Sequence, residues 1–217
     1  MRELVVNTQL TLDGVMQAPG GPEEDPSAGF QHGGWSFGYW DEQMERAMGD
    51  SMSKPFDLVL GRKTYEIFAA YWPHSDDPAA EALNRATKHV ASTTRTELEW
   101  ENSKLIAGEL PEGVQALKEE DGPELQVHGS ANLIQTLLEH GLIDELRVWI
   151  FPLVLGKGKR LFEGGTVPAG LELASSQVSS TGVIIVAYRT GAEIKYGSFA
   201  AETPSEEELT RRAAPER

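Results

Sequence analysis

The sequence predicts an α/β protein, a three-layer αβα sandwich around a central mixed, mostly parallel sheet that ends in an antiparallel hairpin. Three observations predict it. Short apolar runs alternate with amphipathic helical patterns through most of the chain. The clearest unit, residues 124–150, runs strand, helix, strand. Leu133, Ile134, Leu137 and Leu138 form a helical stripe, and Leu146, Val148 and Ile150 then alternate as on a strand. Near the end, 171–178 and 182–189 read as strands with no helix between them, which suits antiparallel neighbours.

The elements follow in order. Leu4-Val5-Val6 opens a strand reaching about Leu12. Residues 20–35, GGPEEDPSAGFQHGGW, are rich in Gly and Pro and read as a long loop. The stretch 41–52 predicts a helix with Met44, Ala47 and Met48 on one face. A strand at 57–60 runs into a helix at 63–70, and a helix at 79–86 into a strand at 89–92. A short strand at 104–106 precedes a helix at 111–118 that starts on Pro111. Ser130 suits an N-cap for the next helix, and Gly141 its C-terminal stop.

Residues 1–200 are expected to form one domain. The polar stretch 203–217 has almost no apolar residues to bury. It is expected to be a disordered tail or a frayed exposed helix.

Composition excludes several chemistries. The chain has 217 residues and no cysteine, so disulfides, zinc–thiolate sites, iron–sulfur clusters and thiol nucleophiles are ruled out. The five histidines lie apart, without metal-ligand spacing, so no metal site is expected. A formal net charge of −15 argues against a nucleic-acid partner, which requires cations to neutralise phosphates. No apolar run approaches the roughly 18 residues of a membrane span, and the N-terminus has no secretory pattern, so a cytoplasmic location is expected.

Three strand-to-helix junctions carry the chemistry. Gly61-Arg62-Lys63-Thr64 matches no Walker A loop, and no Gly-x-Gly-x-x-Gly occurs. Yet a glycine at a strand end lets backbone approach a ligand, and a helix start offers free N–H groups. A plain tight turn with solvated cations is the alternative. Ser92-Thr93-Thr94-Arg95 offers three hydroxyls and a guanidinium, which suit a phosphate monoester. A polar loop is its alternative. His128-Gly129-Ser130-Ala131 is the third junction, where Ser130 serves as a cap, as a ligand contact, or as both. In a parallel sheet such junctions share the edge where ligands bind. A long phosphorylated ligand such as a dinucleotide would fit across them.

The sequence resembles the dihydrofolate reductase-like superfamily, in the branch related to the reductase domain of bifunctional riboflavin biosynthesis deaminase-reductases. The matching pieces are TLDGVMQ (11–17), GGWSFGYWDEQ (33–43), LVLGRKTYEIFAAYWP (58–73), VASTTR (90–95) and VHGSANLIQTLLEHGLIDELRVWIFPLVLGKGKRLFE (127–163), across about residues 2–190. The resemblance implies a sheet of about eight strands and NADPH as cofactor. It implies that Gly61, Arg62, Lys63 and Thr64 hold the pyrophosphate and adenosine-phosphate region. Ser92, Thr93 and Arg95 would lie by the adenosine ribose and its 2′-phosphate. His128, Gly129, Ser130 and Ala131 would line the nicotinamide-side diphosphate, and Asp13 and Gly14 the nicotinamide pocket. Gly156, Lys157 and Gly158 would form a loop beside substrate or cofactor.

The chain departs from the family pattern twice. Dihydrofolate reductases carry Gly-Gly at the third junction, where this chain has His128-Gly129. They also carry a pterin-binding carboxylate on the first helix, for which Asp41, Glu42 and Glu45 are the candidates.

Asp13 is the first candidate for a polar role near hydride transfer, with an Asp-Gly turn as its alternative. Trp35 and its aromatic neighbours are candidates to cover a flat substrate. Lys157 and Lys159 are candidates for a substrate phosphate. The expectation is an NADPH-dependent reductase acting on a small heterocyclic or carbonyl substrate. Its alternatives are reduction of the ribosylaminopyrimidine phosphate of riboflavin synthesis, or a non-catalytic NADP-binding protein. A homodimer is expected from the resemblance, with Trp149–Leu155 as a contact run or a buried strand.

Overall fold

The computed structural model describes residues 1–163, 166–199 and 203–214. The expected domain boundary at residues 200 and 201 lies outside them. One eight-stranded sheet carries the fold. In chain order the strands are β1 (Leu4–Thr11), β2 (Phe56–Gly61), β3 (Lys88–Ala91), β4 (Ser103–Leu105), β5 (Glu124–His128), β6 (Glu145–Phe151), β7 (Gly170–Val178) and β8 (Ile184–Ala192). Their spatial order is β4-β3-β2-β5-β1-β6-β8-β7. All pairs from β4 to β6 are parallel, and β8 pairs antiparallel with both β6 and β7. The expected mixed sheet with a terminal hairpin is therefore present.

The helices are α1 (Glu42–Met52), α2 (Arg62–Tyr71), α3 (Pro78–Arg85), α4 (Leu110–Glu119), α5 (Ala131–Glu139) and α6 (Glu206–Ala213). Central strands are apolar on both faces because helices cover both. Val59 of β2 joins Leu4, Val6, Leu125, Val127, Ile134 and Leu137 in the largest core cluster. Leu58 and Leu60 of the same strand join Tyr65, Leu83 and Val90 in another. Alternate side chains of β2 thus feed different cores, as the two-residue period of a strand requires.

Of the run 149–155, Trp149, Ile150 and Phe151 belong to β6, and residues 152–155 follow it as a loop in which Val154 is 66% exposed. Trp149 and Phe151 are buried in β6, between β1 and β8. The polar C-terminal stretch contains α6, whose start is capped by Ser205 and which has no buried residue.

The Gly/Pro-rich segment is an ordered loop. Trp35 Nε1 donates to the Gln17 carbonyl at 2.8 Å. Gln17 Nε2 donates to the Asp25 carbonyl at 2.9 Å. At Gly33 an added Cβ would stand 2.5 Å from the Gly21 carbonyl oxygen, so only glycine lets these two passes of the loop close.

Candidate functional site

β3, β2 and β5 are neighbours and parallel, so their carboxyl ends lie side by side. Each end opens into one of the expected junctions. A cleft of about 1490 Å³ runs along this edge. Gly61, Arg62, Lys63, Thr64, Ser92, Thr93, His128, Gly129, Ser130 and Ala131 all line it. Ten residues far apart in sequence are thereby brought to one surface.

Two of the junctions are tied together. Gly61 N donates to Ser130 Oγ at 3.0 Å, and Ser130 Oγ donates to Thr64 Oγ1 at 2.9 Å. Ser130 occupies the N-cap position of α5, but its hydroxyl makes no capping bond. The capping expectation fails because the hydroxyl is drawn across to β2. Gly129 and Ser130 both take positive φ, 56° and 59°. The special backbone of this junction thus falls one residue after His128, which stays in β5. A non-glycine in that conformation is costly, by roughly 1 kcal/mol or more, and such residues gather at functional sites.

α2 and α5, like α4, start without a side-chain cap, whereas Asp41, Asp77 and Ser205 cap α1, α3 and α6. Two adjacent helices therefore present free N–H groups and positive dipole ends to one cleft. That is a setting for anionic groups. The residues present fit a dinucleotide at this edge: backbone donors for a diphosphate, hydroxyls at 92–94 beside it, and Arg62 at the mouth.

The cations are not free. Arg62 and Arg95 share Glu66, at 3.0 Å each. Lys63 Nζ and Lys159 Nζ each lie 2.5 Å from Asp25. Burial pushes the Asp25 carboxyl up, but hydrogen bonds from Lys159 and Lys63 outweigh it and hold it well below its ordinary range. Asp25 and Lys159 line the cleft with Lys63. Sequence reading missed Asp25, because nothing in a Gly/Pro-rich loop marks which acid folds back onto a helix start.

Several expected residues stand elsewhere. Asp13 and Gly14 are not among the residues lining the cleft. Asp13 accepts from the Thr11 hydroxyl at 2.6 Å, Leu155 N at 3.2 Å, Gly156 N at 2.8 Å and Arg160 Nη2 at 3.2 Å. The Thr11 hydrogen bond leads, burial opposes it, and the Gly156 and Leu155 N–H groups add to it, so the carboxyl is lowered to about 2. Such a group is an anion joining two loops, not a proton donor. Gly156 serves that joint, and Lys157 is exposed outside the cleft. Trp35 is buried edge-on against Phe151 at 5.1 Å, in the core. Asp41 caps α1 and accepts from Ser180 N and Oγ, both at 2.7 Å. Arg95 turns back onto Glu66 just beyond the lining residue Thr94. No carboxylate of α1 lines the cleft, and Met48, Ser51 and Met52 do so instead.

The floor is polar. Asn7, Gln9 and His128 line the cleft, and Asn7 and His128 are register partners on β1 and β5. Gln126 Nε2 donates to the Ser51 carbonyl and to Glu124, which leaves Gln126 Oε1 to accept from His128 Nε2 at 2.9 Å. Burial, aided by Arg147, lowers His128 to about 4. It is a neutral imidazole at pH 7, with Nδ1 as its acceptor nitrogen. Glu24 also lines the cleft, and burial raises its carboxyl.

No helix among the described residues is long and apolar enough to cross a membrane, and no group of acidic and histidine side chains there could hold a metal.

Comparison with known proteins places this geometry. YyaP of Bacillus subtilis (strain 168) is 28% identical over 196 residues, covering 86% of this chain and 94% of YyaP. A provisionally named riboflavin biosynthesis protein from Shewanella sp. PV-4 superposes with a TM-score of 0.61 at 20% identity, over 88% of this chain and all of that one. Dihydrofolate reductase from Enterococcus faecalis, complexed with NADP(H) and RAB-propyl, superposes with a TM-score of 0.55 at 15% identity, over 88% and 97% of the two chains. These likenesses show a dihydrofolate reductase-like fold. The family model for the RibD C-terminal domain matches residues 2–185, and a reductase-type function related to riboflavin biosynthesis goes with it. Over nearly its whole length, then, the chain belongs to the RibD C-terminal domain family.

Proposed function

We propose that the protein is an NADPH-dependent reductase that transfers a hydride to a small heterocyclic or carbonyl substrate. One observation carries the reading. The carboxyl ends of β3, β2 and β5 lie side by side, and two uncapped helices open from them onto one cleft. The cofactor, when bound, supplies the hydride. The chain's own work is to hold it along the junctions, present the substrate and exclude water. The neutral His128 and the deep carboxyl of Asp13 leave Glu24, a lining acid whose carboxyl burial raises, as the candidate proton donor.

Trp40, Trp72 and Trp149 line the cleft, so quenching of tryptophan fluorescence reports occupancy. Titration with NADPH and NADH tests the reading. Micromolar NADPH binding, with NADH much weaker, is expected. No binding of either removes the proposal.

We also propose that the protein works as a homodimer. The edge strand β7 supports this, because Leu171, Leu173 and Val178 on it are exposed.

A further inference from the structure

We propose that Lys63 and Lys159 form one phosphate-binding site in the wall of the cleft, and that Asp25 is the positioning residue that brings them together. The inference goes beyond the reductase reading, because it concerns an anion site whether or not a hydride moves beside it.

Two ammonium groups from distant segments meet on one carboxylate. Lys63 stands in the first turn of α2, and its Nζ lies 2.5 Å from Asp25 Oδ1. Lys159 stands in the loop after β6, and its Nζ lies 2.5 Å from Asp25 Oδ2. The carboxylate is the buried member of the group. Its side chain is 10% exposed, against 47% for Lys63 and 35% for Lys159, and both lysines line the cleft. An ammonium carries three N–H donors. Each lysine gives one to Asp25, so the others remain for a ligand. A phosphate can therefore join the cluster without breaking either pair. Two positive charges against one negative also leave the cluster cationic, in a chain whose net charge is −15.

The group is built from behind. Gln17 is buried, and its Nε2 donates to the Asp25 and Ser27 carbonyls at 2.9 and 3.0 Å. Its Oε1 accepts from Lys159 N at 3.0 Å. One amide thus fixes the backbone on both sides of the Asp25–Lys159 contact. A single lysine on Asp25 would tie the Gly/Pro-rich loop down. A second beside it adds like-charge repulsion. An anion that uses both lysines accounts for the pair.

The surroundings select phosphate. α2 starts uncapped beside Lys63, so an anion held there also meets backbone N–H groups. A carboxylate has two oxygens for two ammonium groups and a helix start, whereas phosphate oxygens can serve all three. Glu24, the neighbouring acid, does not fill the site, because its carboxylate accepts from Gly20 N at 2.7 Å and Gly21 N at 3.2 Å.

Inorganic pyrophosphate is the probe. It is titrated by calorimetry into the full-length wild type and into Lys63→Met, Lys159→Met and Asp25→Asn, well below the melting temperature of each. The wild type is expected to bind it, and each lysine variant to bind it about tenfold more weakly, near the strength of one charge-assisted contact. Asp25→Asn decides the positioning role through its sign. By charge alone, removing an anion beside the site would tighten binding; loss of positioning weakens it, by about tenfold as well. A variant that is merely less stable would bind as the wild type does. Repeating the wild-type titration with NADPH saturating shows whose phosphate belongs there. Pyrophosphate excluded by NADPH assigns the site to the cofactor, and pyrophosphate still bound assigns it to a phosphate of the substrate. No pyrophosphate binding, or lysine variants that bind it unchanged, would overturn the site. Equal or tighter binding by Asp25→Asn would overturn the positioning role. A protein that binds pyrophosphate but not NADPH would lose the reductase reading and keep the site.

Discussion

The Ser130 hydroxyl accepts the Gly61 N–H at 3.0 Å, joining the end of β2 to the start of α5 across 69 residues of sequence. The same hydroxyl reaches Thr64 in the first turn of α2. Two helix starts are thereby held at a fixed separation, which a rigid diphosphate site requires. Ser130→Ala leaves the Gly61 N–H without its partner. A stability loss of about 1 kcal/mol is expected in urea unfolding. NADPH affinity should fall several-fold as the junctions drift apart. Unchanged affinity would show that the hydroxyl serves the fold alone.

Discrimination between the two nicotinamide cofactors should rest on Arg95. It shares Glu66 with Arg62, and Glu66 is held low because hydrogen bonds from Arg95 and Arg62 outweigh its burial. A 2′-phosphate would compete with Glu66 for these guanidinium groups, since Arg forks onto phosphate oxygens. Arg95→Ala is expected to weaken NADPH by about tenfold, near the strength of one charge-assisted contact, and NADH by less than twofold. Fluorescence titration with both cofactors reads the ratio. An equal loss for both would assign Arg95 to the Glu66 pair only.

Asp25 should clamp its loop. Its side chain is about nine-tenths buried and meets two lysines, whose own side chains are partly solvated. Asp25→Asn is expected to cost about 1–2 kcal/mol, between the values for an exposed and a buried pair. Loop 20–35 should then be cut more readily by protease under native conditions. Stability and cleavage rates equal to wild type would show that the two ion pairs contribute nothing.

Asp13 gives the fold an acid-sensitive joint. Its folded pKa of about 2 lies below its ordinary value near 3.8. A depressed carboxyl stabilises the fold above its unfolded pKa, and that stability is lost as pH falls through the folded value. Stability should therefore be level from pH 7 to about 5 and decline between about pH 4 and 2. Asp13→Asn should be less stable at pH 7 and should show a shallower decline. Urea midpoints across this range measure both. An equal slope in the two proteins would place the acid sensitivity elsewhere.

The fold was readable because its signals are local and repeated. Apolar runs ending in glycine gave β2 and β5, and the stripe Leu133, Ile134, Leu137 gave α5. The shared edge followed from parallel order. Asp13 misled because an Asp-Gly turn looks the same whether its carboxylate faces a ligand or ties two loops, and the bonds to Leu155 and Gly156 span more than 140 residues. Trp35 misled similarly, since the apolar pocket around it is made by Phe151 and Val15 from distant segments. Asn7 and Gln9 gave no signal at all. Polar residues alternate with apolar ones on any half-solvated strand, and only the folded sheet shows that Asn7 Nδ2 and Gln9 Oε1 are buried without partners.

β7 should be where two copies meet. It is an edge strand of nine residues, and Leu171, Leu173 and Val178 on it are 41%, 55% and 59% exposed. Ile184, which pairs with Val178 on β8, is 42% exposed. Edge strands of monomers are usually shortened, charged or covered, because their free N–H and C=O groups template pairing. This one is long and carries three exposed large apolar side chains, with Glu172 as its charged residue. Covering it with the same strand of a second copy would remove the apolar side chains from water and pair the open backbone. Light scattering on the eluted protein should give twice the mass of 23.8 kDa. Leu173→Glu, which places like charges at the centre of such a contact, should shift it to the monomer. No residue of β7 or β8 lines the cleft, so NADPH affinity should be preserved in that monomer. A wild-type protein that elutes as a monomer at high concentration would remove the dimer and leave β7 as an edge kept soluble by the chain's net charge of −15.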